Sequence, residues 1–283
     1  MDLDRLLGHR FPEVTHDYTE QDCMLYALSI GLGNDPLDQR QLRYVYERDL
    51  AVFPTMAVVL ATPGFWVSQP EFNIDFSRVL QGEQELTAHR PLPSSGRVIS
   101  QFAIDQVFDK GDAGAVIRSR RELSNPTTGE LIATLRGTTL CRGDGGFGGE
   151  AQSPANPTGR WERPERTPDH IVDQPTSRTA ALLYRLTGDR NALHADPTVA
   201  GKAGFARPIL HGLCTYGHVA HAIVGALGDY EPTSLRSLNG RFSSPVVPGE
   251  TVRTSIWTTS AGILCEATCD GRVVFTRGTA ELR

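Results

Sequence analysis

The chain has 283 residues, 39% hydrophobic and 22% charged, with a formal net charge of −5. That composition suits a globular protein of one large or two small domains and excludes the basic footprint of a nucleic-acid binder. Five cysteines (Cys23, Cys141, Cys214, Cys265 and Cys269) without a Cys-x-x-Cys pair point to reduced thiols rather than a disulfide scaffold. No stretch approaches the ~18 apolar residues of a membrane helix, so no membrane partner is expected. The opening "MDLDRLLGHRFPEV" has no apolar signal core, and the closing "ELR" is not a peroxisomal address. A cytoplasmic location is expected.

In chain order, "TEQDCMLYALSIGLG" predicts a helix with Thr19 as N-cap and Gly31 near its stop. Long alternating segments follow, visible in Val98, Ser100, Phe102 and Ile104, and short turns between them predict an antiparallel meander. The stretch from Arg142 to His170 is rich in Gly, Pro and charge and reads as a connection. Domains are therefore expected at residues 1–141 and 171–283, with a linker at 142–170. The second half echoes the first. A helical stretch, "HGLCTYGHVAHAIVGALG", precedes strands whose alternation shows in Ile263, Cys265, Ala267 and Cys269. One helix before a curled antiparallel sheet, repeated twice, is an α+β pattern.

Between these parts lies "GDRNALHAD" (Gly188 to Asp196), which crowds four polar or titratable side chains into one short connection. Upstream, Thr176 or Ser177 is expected to cap a helix whose face carries Ala180, Leu183, Tyr184 and Thr187, with Gly188 as its stop. Downstream, Asp196-Pro197 reads as a cap followed by a first-turn proline. Capping accounts for Asp196 but asks for no histidine at 194. A carboxylate at Asp189 and an imidazole at His194 can fold back onto one water and act as an acid/base pair. The helix starting near His211–Gly212 then offers unpaired backbone amides at the positive end of its dipole, and Gly212 lets an oxygen approach closely, as in an oxyanion hole.

His211, Cys214, His218 and His221 also recur at helical spacing. Ten residues of helix span about 15 Å, too far for ligands that must converge within about 2.3 Å of one ion. They are read as a polar edge on a core-facing helix, and no metal is expected.

The segment "LLYRLTGDRNALHADPTVAGKAGFARPILHGLCTYG" resembles the signature of the MaoC-like, (R)-specific enoyl-CoA hydratases, Tyr-x-x-Ser/Thr-Gly-Asp-x-Asn-Pro-Leu-His. In the first half, "DCMLYALSIG", "FPTMAVV", "QGEQELTAHRPLP", "VFDKG" and "GGFGG" are similar to the two-domain members. The resemblance implies a double hotdog, two hotdog units each with a curled antiparallel sheet around a helix. Catalysis would belong to the second half, and the first would shape the acyl-CoA cleft. It places the catalytic dyad on Asp189 and His194, an orienting residue on Asn191 and the oxyanion amide on Gly212. Two departures stand out. Ala192 replaces the motif's proline, which loosens the turn only in the unfolded chain. Gln81 replaces the histidine of a His-Gly-Glu-Gln stretch, so no imidazole acts there.

The implied reaction is reversible hydration of trans-2-enoyl-CoA to (3R)-3-hydroxyacyl-CoA, with no metal or redox cofactor, because the thioester already makes C3 electrophilic. Coenzyme A enters only as part of the substrate. Its phosphates call for local cations, and Lys110, Arg207, Arg236 and Arg241 are the candidates. A homodimer is expected. Two other readings are a non-catalytic acyl-thioester-binding or assembly subunit and a thioesterase. The first would have lost catalytic residues, yet the dyad is intact. The second would need a carboxylate on the hotdog helix, and Gly212 to Gly228 contains none.

Overall fold

Long alternating segments joined by tight turns pair with their neighbours, and here they build one antiparallel sheet. The computed structural model describes residues 1–149, 161–260 and 262–283. In the first half the strands are β1 (Val14–Tyr18), β2 (Val79–Ala88), β3 (Gly96–Asp109), β4 (Ala115–Ser124) and β5 (Leu131–Cys141). In the second they are β6 (His170–Pro175), β7 (Leu235–Phe242), β8 (Thr251–Thr259), β9 (Gly262–Cys269) and β10 (Arg272–Leu282). The helices are α1 (Leu3–Gly8), α2 (Glu20–Ser29), α3 (Gln39–Leu42), α4 (Ala180–Tyr184), α5 (Pro197–Lys202) and α6 (Gly212–Leu227).

The sheet order is β1-β3-β4-β5-β2-β7-β10-β9-β8-β6. Read inward from each edge, β1-β3-β4-β5-β2 and β6-β8-β9-β10-β7 are the same order. The chain thus repeats one hotdog unit twice, with α2 following β1 and α6 lying between β6 and β7. The two units join where β2 pairs with β7, Leu86 opposite Leu238. The result is the double hotdog.

Local chemistry explains the elements. Thr19 and Asp22 form a reciprocal capping box at α2, and Gly31 follows with φ +83°. Along β9, Ile263, Cys265, Ala267 and Cys269 all face the core, as a two-residue period requires. Along β3 the period holds for buried Val98 and Ser100, then a bulge between Ile104 and Gln106 breaks it. The edge strands β1 and β6 carry no expectation above. β6 begins at His170, the last residue of the expected linker, and residues 150–160 of that linker lie outside the described ones. Trp161 donates its indole N–H to the Gly278 oxygen at 3.2 Å, so the chain already lies on the second unit there.

Both hotdog helices belong to one core. They cross at Gly217, where a Cβ would collide with Ile30 and sit 3.3 Å from the Tyr26 hydroxyl. The polar edge of α6 serves this crossing. Cys214 Sγ lies 3.3 Å from the Ser29 oxygen, and His221 Nδ1 lies 3.1 Å from the Ile30 oxygen. These contacts meet carbonyls left open at the end of α2. All five cysteines are free and buried. No helix among the described residues is long and apolar enough to cross a membrane.

Candidate active site

The connection from Gly188 to Asp196 folds around its own backbone. Helix α4 begins at the cap position Thr179, not at Thr176 or Ser177 as the sequence suggests. Thr176 instead donates its hydroxyl to the Glu250 oxygen at 2.7 Å and accepts from the Gly249 N–H at 3.0 Å, which ties the chain to the turn before β8. A 3-10 turn over Arg185–Thr187 continues α4, and Gly188, at φ +133°, ends it. Ala180 and Tyr184 are buried; Leu183 and Thr187 are half-buried on the same face.

Asp189 Oδ1 accepts the backbone N–H of Asn191 at 3.1 Å. The Asn191 side-chain oxygen accepts from the Leu193 N–H at 3.0 Å and so caps the 3-10 turn Ala192–His194. The Asn191 side chain therefore shapes the turn that carries His194, while its main-chain N–H holds the Asp189 carboxylate. Asp196 caps α5 through the Thr198 N–H at 2.7 Å.

His194 is 9% exposed. Its Nδ1 lies 2.9 Å from the Ile209 main-chain oxygen. A carbonyl only accepts, so neutral His194 carries its proton on Nδ1 and leaves a lone pair on Nε2. Burial pushes the imidazole below its ordinary range, against the opposing pull of the Ile209 carbonyl and the Asp189 carboxylate.

His211 joins this pair, although its spacing in the sequence assigns it to the polar edge of α6. The two imidazoles stack with centroids 3.7 Å apart and planes 28° apart. His211 Nε2 lies 3.1 Å from the Asp189 main-chain oxygen. Burial, with the neighbouring His194, drives the His211 pKa down to about 3. Asp189, His194 and His211 each bring one ligand-type atom within 4.8 Å of the others. Stacked rings aim their in-plane lone pairs side by side rather than at one point, which suits an ion poorly. A carboxylate and an imidazole at this separation suit a water.

Gly212 is the first residue of α6, with His211 at its N-cap. Its N–H belongs to the first turn, which has no intrahelical acceptor. A Cβ at Gly212 would touch the Phe242 ring at 3.4 Å. His194 lies on the wall of a cavity of about 680 Å³, lined also by Arg178, Leu182, Ala195, Arg207 and Gly249. Every lining residue comes from the second half, and Asp189 and Gly212 are not on that wall.

Of the four candidate cations, the structure brings only Arg207 to this cavity. Lys110 sits after β3 with its ammonium 5.7 Å from the Phe108 ring centroid. Arg236 is 3.5 Å from Glu281, and Arg241 stands opposite Glu83 in the β2–β7 pairing. Arg178, the second cavity cation, had no signal in the sequence, because residues 178 and 207 meet only through the fold. His211 had one: a histidine at an N-cap, where a short polar side chain is the rule.

Residues 160–276 match the MaoC like domain, and residues 16–143 match the MFE-2 hydratase 2 N-terminal domain. The enoyl-CoA hydratase ChsH3 of Mycobacterium tuberculosis is 41% identical over 91% of this chain and 89% of its own. The peroxisomal enoyl-CoA hydratase 2 of Arabidopsis thaliana is 38% identical over 90% of this chain and 86% of its own. The crystal structure of a MaoC-like dehydratase from Phytophthora capsici superposes with a TM-score of 0.86 at 29% identity, covering 100% of this chain and 99% of that one.

Proposed function

We propose, for a chain that belongs to the MaoC-like family in its two-unit hydratase 2 form, that Asp189 and His194 together hold the water that adds to an enoyl-CoA. The chain is a hydro-lyase that reversibly hydrates trans-2-enoyl-CoA to the (3R)-3-hydroxyacyl-CoA. The observation that carries the residue assignment is the fixed tautomer of His194: its Nδ1–H is committed to the Ile209 oxygen, so Nε2 is the basic atom.

In the proposed step, His194 Nε2 accepts a proton as the water oxygen bonds to C3. The C2–C3 π electrons move toward the thioester, and the N–H of Gly212 meets the enolate oxygen. C2 then takes a proton from the Asp189–His194 pair on the same face. Hydroxyl goes to C3 and hydrogen to C2, and the pair ends with the protons it began with. Asn191 holds the Asp189 carboxylate through its main-chain N–H and the turn that carries His194 through its side chain. No metal or redox cofactor enters this step.

Arg207 and Arg178 at the cavity supply the positive charge that the phosphates of coenzyme A require. In this reading the acyl chain runs from His194 toward the first half, whose Val59 oxygen lies 3.8 Å from where a Cβ on Gly188 would stand. The reading keeps the division into residues 1–141, a linker at 142–170, and 171–283. It also carries a cytoplasmic location, which five buried thiols suit, and a homodimer, which sedimentation analysis tests.

A coupled assay tests the reaction. The chain is incubated with enoyl-CoA, and the product is offered to an (R)-specific or an (S)-specific 3-hydroxyacyl-CoA dehydrogenase. Oxidation by the (R)-specific enzyme is expected. Oxidation only by the (S)-specific enzyme contradicts the reading.

A further inference from the structure

We propose that His211 is a positioning residue that aligns the base, the carboxylate and the oxyanion amide from a single side chain. The inference rests on the dyad reading above and adds a residue to it.

Three contacts meet at His211. Its ring stacks on His194 with centroids 3.7 Å apart. Its Nε2 lies 3.1 Å from the main-chain oxygen of Asp189, and because a carbonyl only accepts, Nε2–H donates. Its own backbone is the N-cap of α6, next to Gly212. The residue is 1% exposed, so these contacts are shielded from water. The arrangement holds the 188–191 backbone and the His194 ring in register with the first amide of α6.

The other ring nitrogen supports this reading. With the proton on Nε2, Nδ1 carries a bare lone pair, and it has no hydrogen-bond partner among the described residues. An unsatisfied buried acceptor is destabilising. A residue kept only for packing does better as an apolar ring. The stack and the Asp189 contact are what the imidazole offers in return. His211 touches no reacting atom in this account; it acts through its neighbours.

The ring also shields His194. Removing it opens the site beside an imidazole whose low pKa comes first from burial. The titratable and charged groups facing the pair are Asp189 from the connection, and Arg185 and Tyr184 from the end of α4 and its 3-10 continuation. All three remain when His211 is replaced, so a changed titration of His194 reports the lost cover.

The experiment compares His211→Ala and His211→Phe with the unaltered chain on crotonyl-CoA across pH 4.5–8.5. Circular dichroism and thermal melts establish folding. His211→Ala should lower kcat by about 10²-fold, the scale expected for a small misplacement of reacting groups, with KM within about threefold. Its acid limb of kcat/KM should move to higher pH, because a better-hydrated His194 protonates more readily. His211→Phe keeps a ring over His194 but loses the donor to Asp189. It should keep the wild-type acid limb while kcat still falls. If His211→Ala does not fold, His211→Phe alone decides on kcat. Folded variants with kcat within threefold of wild type and an unmoved limb overturn the proposal. Asp189→Asn and His194→Ala are assayed alongside. If they lose activity while the His211 variants keep it, only the positioning role fails. If they too remain active, the dyad reading has failed.

Discussion

The His194 ring is anchored at one end: Nδ1 lies 2.9 Å from the Ile209 oxygen, fifteen residues along the chain. That contact ties the 188–196 connection to the segment leading into α6. It leaves one nitrogen, Nε2, for chemistry. Residues 209–212 thereby fix the imidazole through Ile209, stack on it through His211, and present the Gly212 amide.

The crossing of the two hotdog helices sets a first prediction. Gly217→Val places two methyl groups where a Cβ already collides with Ile30. Overpacking of this kind is destabilising by about 1–3 kcal/mol. The urea midpoint should fall by a matching amount. An unchanged midpoint would show that α2 and α6 are not pressed together at this position.

Acid should weaken the fold before carboxylates titrate. Burial lowers the pKa of His211 and His218 to about 3 and of His221 to about 4, from 6.5. The native state holds these rings neutral, while the unfolded chain protonates them below about 6.5. The unfolded state then binds more protons, so stability rises with pH in this window. The contribution is complete above 6.5 and is lost as pH falls toward 4 and then 3. Each ring contributes a slope approaching about 1.4 kcal/mol per pH unit. Urea midpoints at pH 7.5 and 5.5 check this: the lower pH should give the lower midpoint, and equal midpoints would contradict it.

Arg207 lines the cavity and is exposed. If it meets a coenzyme A phosphate, Arg207→Ala should raise KM for crotonyl-CoA by about tenfold, in line with the lower range for a charge-assisted hydrogen bond. The value of kcat should stay put. The same variant should leave KM for crotonyl-pantetheine nearly unchanged, since that thioester lacks the nucleotide phosphates. Equal effects on both substrates would assign Arg207 elsewhere.

Much of this was legible in the sequence because it is local. The Thr19 cap, the Asp196 cap, the alternation of β9 and the Gly188 stop each depend on neighbours within a few residues. The duplicated strands were readable because both halves repeat them in the same order. The short edge strands β1 and β6 were not. "VTHDY" and "HIVDQP" carry charges and no apolar run, and become strands only by pairing with β3 and β8. By spacing alone His211 belongs to a helix stripe with Cys214, His218 and His221. The fold divides that stripe. Cys214 and His221 meet the end of α2, and His211 turns to His194 through a contact that links residues 17 apart. The family resemblance points to Asp189, His194, Asn191 and Gly212; the odd N-cap histidine hints at His211, and Arg178 joins them only through tertiary structure.

The dyad itself admits the most direct measurement. Asp189→Asn and His194→Ala, purified and shown to be folded, are assayed for hydration of crotonyl-CoA and of a longer enoyl-CoA. Each should lose about 10²–10⁴-fold in rate with a modest change in KM, the range for loss of an acid/base group. Retention of more than about a tenth of the wild-type rate by either folded variant, on both substrates, would contradict the claim that this pair holds the water.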